Sequence, residues 1–267
     1  MANFHSQEWF DNHLNHHLYS LRQLGYEVTA IFYLGSGNYG LDMKESDFDT
    51  IAFVTPTLKD ICKQERFINS TIVLENGEAK VKDIRYLPAL VLNQNPADIQ
   101  LFNSISYYIT SNYKAEWLEL LKYREIIWNW NIPKFVCAVS SQAHKAIKEC
   151  YNKLECGDDR YCWKKASIVL RCLDYICKIN KDPYLANDFF TSETTEWKRA
   201  FQAKKNAYTT TSLVPFGNEQ YKEIFKYLET LEKVRALYLR EHDEFNIDNL
   251  PENFYKLIED IVKKGLM

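Results

Sequence analysis

Two carboxylates one residue apart, Asp47 and Asp49 in the run Ser46-Asp47-Phe48-Asp49-Thr50-Ile51, follow closely on a glycine-serine stretch, Leu34-Gly35-Ser36-Gly37-Asn38-Tyr39-Gly40. On an extended strand side chains two apart point the same way. Asp47 and Asp49 therefore share one face, while Phe48, Ala52 and Val54 fall on the other. Oxygen donors of this kind suit Mg²⁺ or Mn²⁺ rather than zinc. The turn has its own use: Gly35 and its neighbours let a ligand approach the backbone, where amide groups and the Ser36 hydroxyl can hold phosphate oxygens. Turn and carboxylates together describe a site for a triphosphate with divalent metal. Further on, Lys80-Val81-Lys82-Asp83-Ile84-Arg85 places Asp83 on a neighbouring strand. There a third carboxylate would complete the metal pair and activate an attacking hydroxyl. Arg85, two residues on, shares the face of Asp83 and is placed to reach a phosphate. Tyr39 has two readings, a stacking ring for a base or sugar and a packing ring beneath the turn. Ser46 is read mainly as a cap for the Asp47 loop beside a nucleotide contact.

The elements that must carry these residues follow from periodicity. From Ser6 to Leu24, Trp9, Phe10, Leu14, Leu18 and Leu21 recur mostly at three- and four-residue steps, which predicts an amphipathic helix ended by Gly25. Val28 to Leu34 and Phe48 to Thr55 are β-branched and aromatic and read as strands. Ser70 to Glu75 and Ala79 to Leu87 flank Asn76-Gly77, a strong hairpin signal. After these four strands the period changes: 88–95, 97–104 and 113–123 read as helical, and so do 132–155, 159–180, 193–206, 218–240 and 251–264. Strands first and helices later predict an α+β protein with a small mixed sheet, residues 1–130, and a helical domain, residues 131–267, joined near Trp128 to Pro133.

The order G-S, then S-D-F-D, then an isolated Asp on a later strand resembles the DNA polymerase β-type nucleotidyltransferase superfamily. Within it, the chain is similar to predicted bacterial and phage nucleotidyltransferases that read GSxxYGLxxxxSDxD and carry a later NPxxxxLL segment. Here the matching residues are Gly35 to Leu41, Ser46 to Asp49, and Asn95-Pro96-Ala97-Asp98-Ile99-Gln100-Leu101-Phe102. Gly37-Asn38 replaces the more frequent His-Ala, and Gln100 stands where Glu is common. The likeness spans roughly residues 30 to 180. It implies a palm-like sheet with flanking helices, and transfer of a nucleoside monophosphate from an NTP to an acceptor hydroxyl with release of pyrophosphate. In that scheme Asp47 and Asp49 bridge two metal ions and Asp83 binds the one facing the acceptor. Lys164, Lys165 and Arg171, on one helix of the second domain, are either its solvent face or, as the resemblance implies, groups that close over the triphosphate across a cleft.

Composition limits the partners. The chain has 267 residues, 46% hydrophobic and 26% charged, and 33 Lys+Arg against 36 Asp+Glu leave a net charge of -3, so any nucleic-acid contact needs a local patch. Such a patch could draw on Lys198, Arg199, Lys204 and Lys205, or on Lys222, Lys226 and Lys233. No stretch is long and apolar enough for a membrane span and the amino terminus lacks a signal-peptide pattern, so a cytoplasmic location is expected. Seven cysteines without CxxC pairs read as free thiols, and the five-residue gaps between Cys150, Cys156 and Cys162 do not match zinc-ligand spacing. His13, His16 and His17 share a helix face that reads as solvated. Acceptor classes consistent with the residues are an RNA or tRNA end, a protein side-chain hydroxyl, or a small molecule such as an antibiotic. The competing class is a catalytically silent nucleotide sensor or antitoxin-like module.

Overall fold

The computed structural model describes residues 4–63, 68–128, 130–181, 194–208, 215–241 and 249–267. The chain divides into two compact units, one of residues 2–130 with 247–267 and the other of residues 131–246. The sheet unit opens with helix α1 (Gln7–Gln23), whose amino end is capped by the Ser6 hydroxyl accepting the Trp9 N–H. Strands β1 (Val28–Leu34), β2 (Asp49–Val54), β3 (Asn69–Leu74), β4 (Gly77–Asp83) and β5 (Tyr107–Ile109) form one sheet in the order β3-β4-β2-β1-β5, with the short helices α2 (Leu58–Cys62), α3 (Leu87–Asn93), α4 (Pro96–Ile99), α5 (Lys114–Lys122) and α6 (Arg124–Ile127) in the connections and after the last strand. The β2–β4 pair is parallel and the other pairs are antiparallel. The result is an α+β architecture with a mixed sheet, as the sequence pattern implied.

Alternation sorts the sheet into two faces. Ile31, Tyr33, Ala52, Val54, Ala79 and Val81 pack with Phe48 against Phe10, Leu14, Leu18 and Leu21 of α1. On the reverse face, the Trp117 ring of α5 (Lys114–Lys122) lies 5.3 Å from both Phe32 and Phe53. Both faces of β1 and most of β2 are therefore core, which accounts for their near-continuous apolar runs. Asp49, at the start of β2, is the residue where that apolar run stops.

Three expectations are corrected here. A fifth strand exists: β5 is only three residues long and forms because β1 offers it an edge, with Phe32 opposite Tyr107 and Ala30 opposite Ile109. The segment 97–104 is not one helix but α4 (Pro96–Ile99) followed by a 3₁₀ turn, Gln100–Asn103. The last helix, α11 (Glu252–Leu266), does not belong to the helical domain. Its Lys264 Nζ pairs with Glu116 at 2.7 Å and its Phe254 ring lies 5.2 Å from Tyr123, so it completes the sheet unit. Periodicity revealed the apolar face of that helix but not which core the face covers.

The helical unit contains α7 (Ile132–Leu154), α8 (Asp159–Lys181), α9 (Thr195–Tyr208) and α10 (Asn218–Glu241). Glu193, expected to open α9, lies outside the described residues. Cys150, Cys162 and Cys172 are buried thiols, and burial pushes the Cys172 thiol up to about 12. Among the described residues no helix is long and apolar enough to cross a membrane.

His17 departs from its expected solvated position. It is fully buried, its Nδ1 lies 3.0 Å from the Thr50 hydroxyl, and its ring meets Phe48 edge to face at 5.3 Å. Burial first, and then the neighbouring His16 and His13 charges, lowers its pKa from 6.5 to about 4. Because the folded-state pKa is depressed, the unfolded chain takes up this proton at a higher pH than the folded one. Stability should fall as pH drops from about 6.5 toward 4, by up to roughly 3 kcal/mol. Urea unfolding at pH 7.0 and 4.5 measures this, and a His17→Leu variant should lose most of the difference.

Candidate active site

The glycine-serine turn is held by the strand that leads into it. Gly35 is extended, and a Cβ there would stand 2.4 Å from the Tyr33 hydroxyl oxygen, so the residue has to be glycine. That hydroxyl in turn accepts the Gly37 N–H at 3.0 Å. Residues Ser36–Tyr39 make a 3₁₀ turn that ends in left-handed Gly40. The Ser36 hydroxyl donates to Ser46 Oγ at 3.3 Å, and Ser46 Oγ accepts the Met43 N–H at 2.8 Å. Ser36 and Ser46 therefore tie the turn to the loop that precedes Asp47. Between them, the buried Asp42 carboxylate accepts the backbone N–H groups of Phe4 and His5, each at 3.0 Å. Burial, followed by the charges of Asp42 and Asp49, pushes the Tyr33 phenol above its ordinary range, while the Gly37 N–H acts the other way.

Asn38 and Gln100, both departures from the pattern that the sequence resembles, are bonded to each other: Asn38 Nδ2 donates to Gln100 Oε1 at 3.2 Å. Asn38 Nδ2 also donates to the Tyr33 carbonyl, and its Oδ1 accepts the Ile105 N–H. The turn is bolted to the segment after α4 by this amide pair.

Asp49 sits where three strands meet, opposite Leu34 of β1 and beside Glu78 of β4, whose N–H donates to Asp49 Oδ1 at 3.1 Å. The parallel register, Thr50 with Ala79 and Ile51 with Lys80, puts Glu78 level with Asp49 and on its face. Burial raises the Asp49 pKa; the Glu78 N–H lowers it; the negative charges of Asp47 and Glu78 raise it, and Lys80 lowers it. Lys80 Nζ lies 3.5 Å from Asp98 of α4. The hairpin between β3 and β4 supports the same spot. Phe48 N–H donates to the Asn76 carbonyl at 2.9 Å, and a Cβ on Gly77 would fall 2.2 Å from the Phe48 carbonyl oxygen. The Asn-Gly turn thus serves as a backstop for the peptide between the two aspartates.

Asp83 is not part of this cluster. It is level with Val54, five residues further along the sheet than Asp49, or about 16 Å at the usual strand rise. By alternation it belongs to the α1 face with Ala79 and Val81. It is fully buried and makes a two-point pair with Arg85, Nε to Oδ1 at 2.9 Å and Nη2 to Oδ2 at 2.6 Å. Arg85 is committed to that pair rather than to a phosphate near Asp49. The carboxylate that the sequence reading missed is Glu78. The signal was present in the Asn-Gly turn, which fixes where β4 starts, but only the β2–β4 register shows that its second residue stands beside Asp49.

Of the two readings of Tyr39, the structure favours the packing ring over the nucleotide contact. It is 3% exposed and packs beneath the turn, so it has no ring face to offer a base. Lys164, Lys165 and Arg171 all lie on α8 of the helical unit. Lys165 forms an ion pair with Glu149 and stands 4.8 Å from the Tyr161 ring centre. Among the described residues no three His, Cys, Asp or Glu side chains are gathered closely enough to hold a metal ion. Asp47, Asp49 and Glu78 nevertheless suit a hard divalent cation in donor chemistry. The Asp49 pKa is raised first by burial and then by the charges of Asp47 and Glu78, and a bound cation would offset both.

No protein-family model matches the chain, and no curated protein matches it. Among solved structures it is similar to a nucleotidyltransferase-like protein from Exiguobacterium sibiricum, at 10% identity and a TM-score of 0.26, over 94% of this chain and 79% of that one. A TM-score of this size assigns no role to any residue.

Proposed function

We propose that the chain is a divalent-metal-dependent nucleotidyltransferase that moves a nucleoside monophosphate from an NTP to an acceptor hydroxyl. The observation that carries this reading is the strand register that sets Glu78 level with Asp49, two residues after Asp47, and puts Asp49 opposite Leu34, the residue before the Gly35-Ser36 turn. In the reaction an acceptor oxygen attacks the α-phosphorus, the bond to the β-phosphate oxygen breaks, and pyrophosphate leaves. The close backbone at Gly35 holds phosphate oxygens, and the Ser36 hydroxyl joins it by turning its proton from Ser46 Oγ to a phosphate oxygen while the Ser46 hydroxyl donates to Ser36 Oγ in exchange. Mg²⁺ or Mn²⁺ held by Asp47 and Asp49, with Glu78, supplies neutralisation of phosphate charge and a lowered pKa for the acceptor hydroxyl. Glu78, exposed on the neighbouring strand, takes the role first expected of Asp83 and receives the acceptor proton.

The test is incubation of the protein with each α-³²P-labelled NTP, Mg²⁺ or Mn²⁺, and total tRNA, cell protein or small metabolites in turn. Label entering one acceptor pool supports the reading and identifies the acceptor class among RNA, protein and small molecule. One observation favours a second reading, a nucleotide-binding sensor without turnover: among the described residues the carboxylates are not gathered into a ready metal site. NTP binding with no label in any pool would select it.

Two substitutions separate the rival third acids. Glu78→Gln should lower transfer about 100-fold at unchanged thermal stability, the usual scale for loss of a positioned proton acceptor. Asp83→Ala should leave transfer within about twofold yet cost roughly 3 kcal/mol in urea unfolding, because it strands the Arg85 charge of a buried pair. The reverse ranking would return the role to Asp83.

A further inference from the structure

Asp49 has two unlike flanks. On one side stands Leu34 of β1, which leads into the Gly35-Ser36 turn, and on the other stands Glu78 of β4. The turn side is the one given to the NTP phosphates above, so the β4 side is where an acceptor presents its hydroxyl. Along β4 the same sheet face continues from Glu78 to Lys80 and then Lys82, each step roughly 7 Å at the usual strand rise. β3 runs alongside, with Thr71 level with Lys80 and Asn69 level with Lys82, and both of these residues are exposed. The acceptor side is therefore an open strip that begins with a carboxylate and goes on with two ammonium groups.

Those ammonium groups are only partly compensated. Lys80 Nζ lies 3.5 Å from Asp98 Oδ1, a long ion pair whose two side chains both reach solvent. Such a pair holds its lysine weakly. Lys82, half-buried, donates to a neutral partner, Asn69 Oδ1 at 2.8 Å, and stands 5.7 Å from the centre of the Tyr86 ring. Among the described residues it forms no ion pair. Burial lowers the Lys82 pKa; Asp98 works against that, and the neighbouring charge of Lys80 adds to it. Asp98 thus serves two cations, and an anion seated between them would meet the charge left over. A nucleotide carries such an anion at a suitable place, since its 5′-phosphate lies one ribose away from its 3′ hydroxyl.

We infer that Lys80 and Lys82 bind the 5′-phosphate of the nucleotide whose 3′ hydroxyl, beside Glu78, accepts the transfer. The acceptor is then a nucleotide end, carried by an RNA or by a free nucleoside monophosphate. A cationic small molecule would be repelled there, and an unmodified protein hydroxyl brings no such phosphate. This assignment rests on the nucleotidyltransferase reading, while the phosphate contact is measurable without it.

Binding is read on the full chain in EDTA, where no transfer occurs, by the anisotropy of a 5′-fluorescein RNA hexamer with a 3′ hydroxyl. Wild type should bind it, and 5′-AMP should displace it where adenosine does not. Lys80→Gln with Lys82→Gln should bind at least about tenfold more weakly, with the slope of log K against log salt reduced by about 0.7 for the phosphate that is no longer neutralised. Asp98→Asn should bind several-fold more tightly, because it releases Lys80, whereas a merely structural role would not move affinity upward. Circular dichroism checks that each variant is folded. With labelled NTP, the double variant should raise KM for the acceptor about tenfold and leave KM for the NTP within about twofold. RNA binding much tighter than AMP identifies an RNA end as the source, and equal binding identifies the free nucleotide. Failure of wild type to bind either one would overturn the inference, as would unchanged affinity in the double variant, an NTP KM that rises in place of the acceptor KM, or label entering protein alone. Lysine-dependent binding without transfer of label would sink the nucleotidyltransferase reading and keep the phosphate site.

Discussion

Asp49→Asn should lower nucleotidyl transfer by at least about 10³-fold in kcat while leaving the fold intact. A thousandfold corresponds to about 4 kcal/mol of lost transition-state stabilisation, the scale expected when a ligand that neutralises developing phosphate charge is removed. The substitution keeps the shape and one oxygen acceptor, so the Glu78 N–H still finds a partner and the β2–β4 register survives. Stability should move the other way. The Asp49 pKa is raised in the folded chain, chiefly by burial and then by Asp47 and Glu78. The folded state therefore holds this proton to a higher pH than the unfolded one, and above the folded pKa the ionised carboxylate weighs against folding. At pH 7 the neutral Asn removes that burden, so Tm should be equal to or above that of wild type. Added Mg²⁺ should raise the wild-type Tm more than that of the variant. Transfer above a tenth of wild type, or an unchanged Tm response to Mg²⁺, would remove Asp49 from the metal site.

Gly77→Ala should combine a large loss of stability with a large loss of activity, although residue 77 carries no chemistry. The added methyl would lie 2.2 Å from the Phe48 carbonyl oxygen and 2.6 Å from its carbon, backbone atoms that cannot rotate aside. Gly77 also has a φ of 157°, and the two effects together should cost roughly 3 kcal/mol. The peptide that must move carries Asp47 on one side and Asp49 on the other, and a 1 Å shift of a catalytic group can cost about 100-fold. Differential scanning calorimetry and the transfer assay at low temperature separate the two effects. Gly157→Ala is the comparison: that glycine also has a positive φ, 67°, but nothing stands within 4 Å of an added Cβ, so it should cost only about 1 kcal/mol and leave transfer unchanged.

Much of this arrangement was legible before folding was considered. β1 occupies Val28–Leu34 as expected, and β2 is one residue shorter at each end than its apolar run. Residues 132–155 and 159–180 became α7 and α8 almost without change. The pair Asp47 and Asp49, the glycine-serine turn and the opposite placement of Phe48 all follow from alternation and turn chemistry, which act over a few residues. Misreadings fall where a neighbour decides. His17 went to the interior because α1 packs onto the sheet, and packing of the turn likewise chose between the two readings of Tyr39. β5 formed because β1 had an edge to pair.

The third carboxylate shows the division most clearly. Local pattern establishes that a strand follows the Asn76-Gly77 turn and contains Asp83; its expected start at Ala79 left Glu78 just outside, whereas β4 runs from Gly77 to Asp83. Which of the two joins Asp49 depends on how β4 slides along β2, and sliding leaves every local preference satisfied. The parallel pairing of Thr50 with Ala79 resolves it, bringing Glu78 to Asp49 and sending Asp83 to the far end of the opposite face. The same holds for α11, whose amphipathic stripe is plain in its residues while its seat, in the sheet unit, comes from packing against segments more than a hundred residues away. Composition and spacing set the elements and the chemistry on offer, because those depend on near neighbours. Register and docking set which groups meet, because they are chosen by the burial of whole faces.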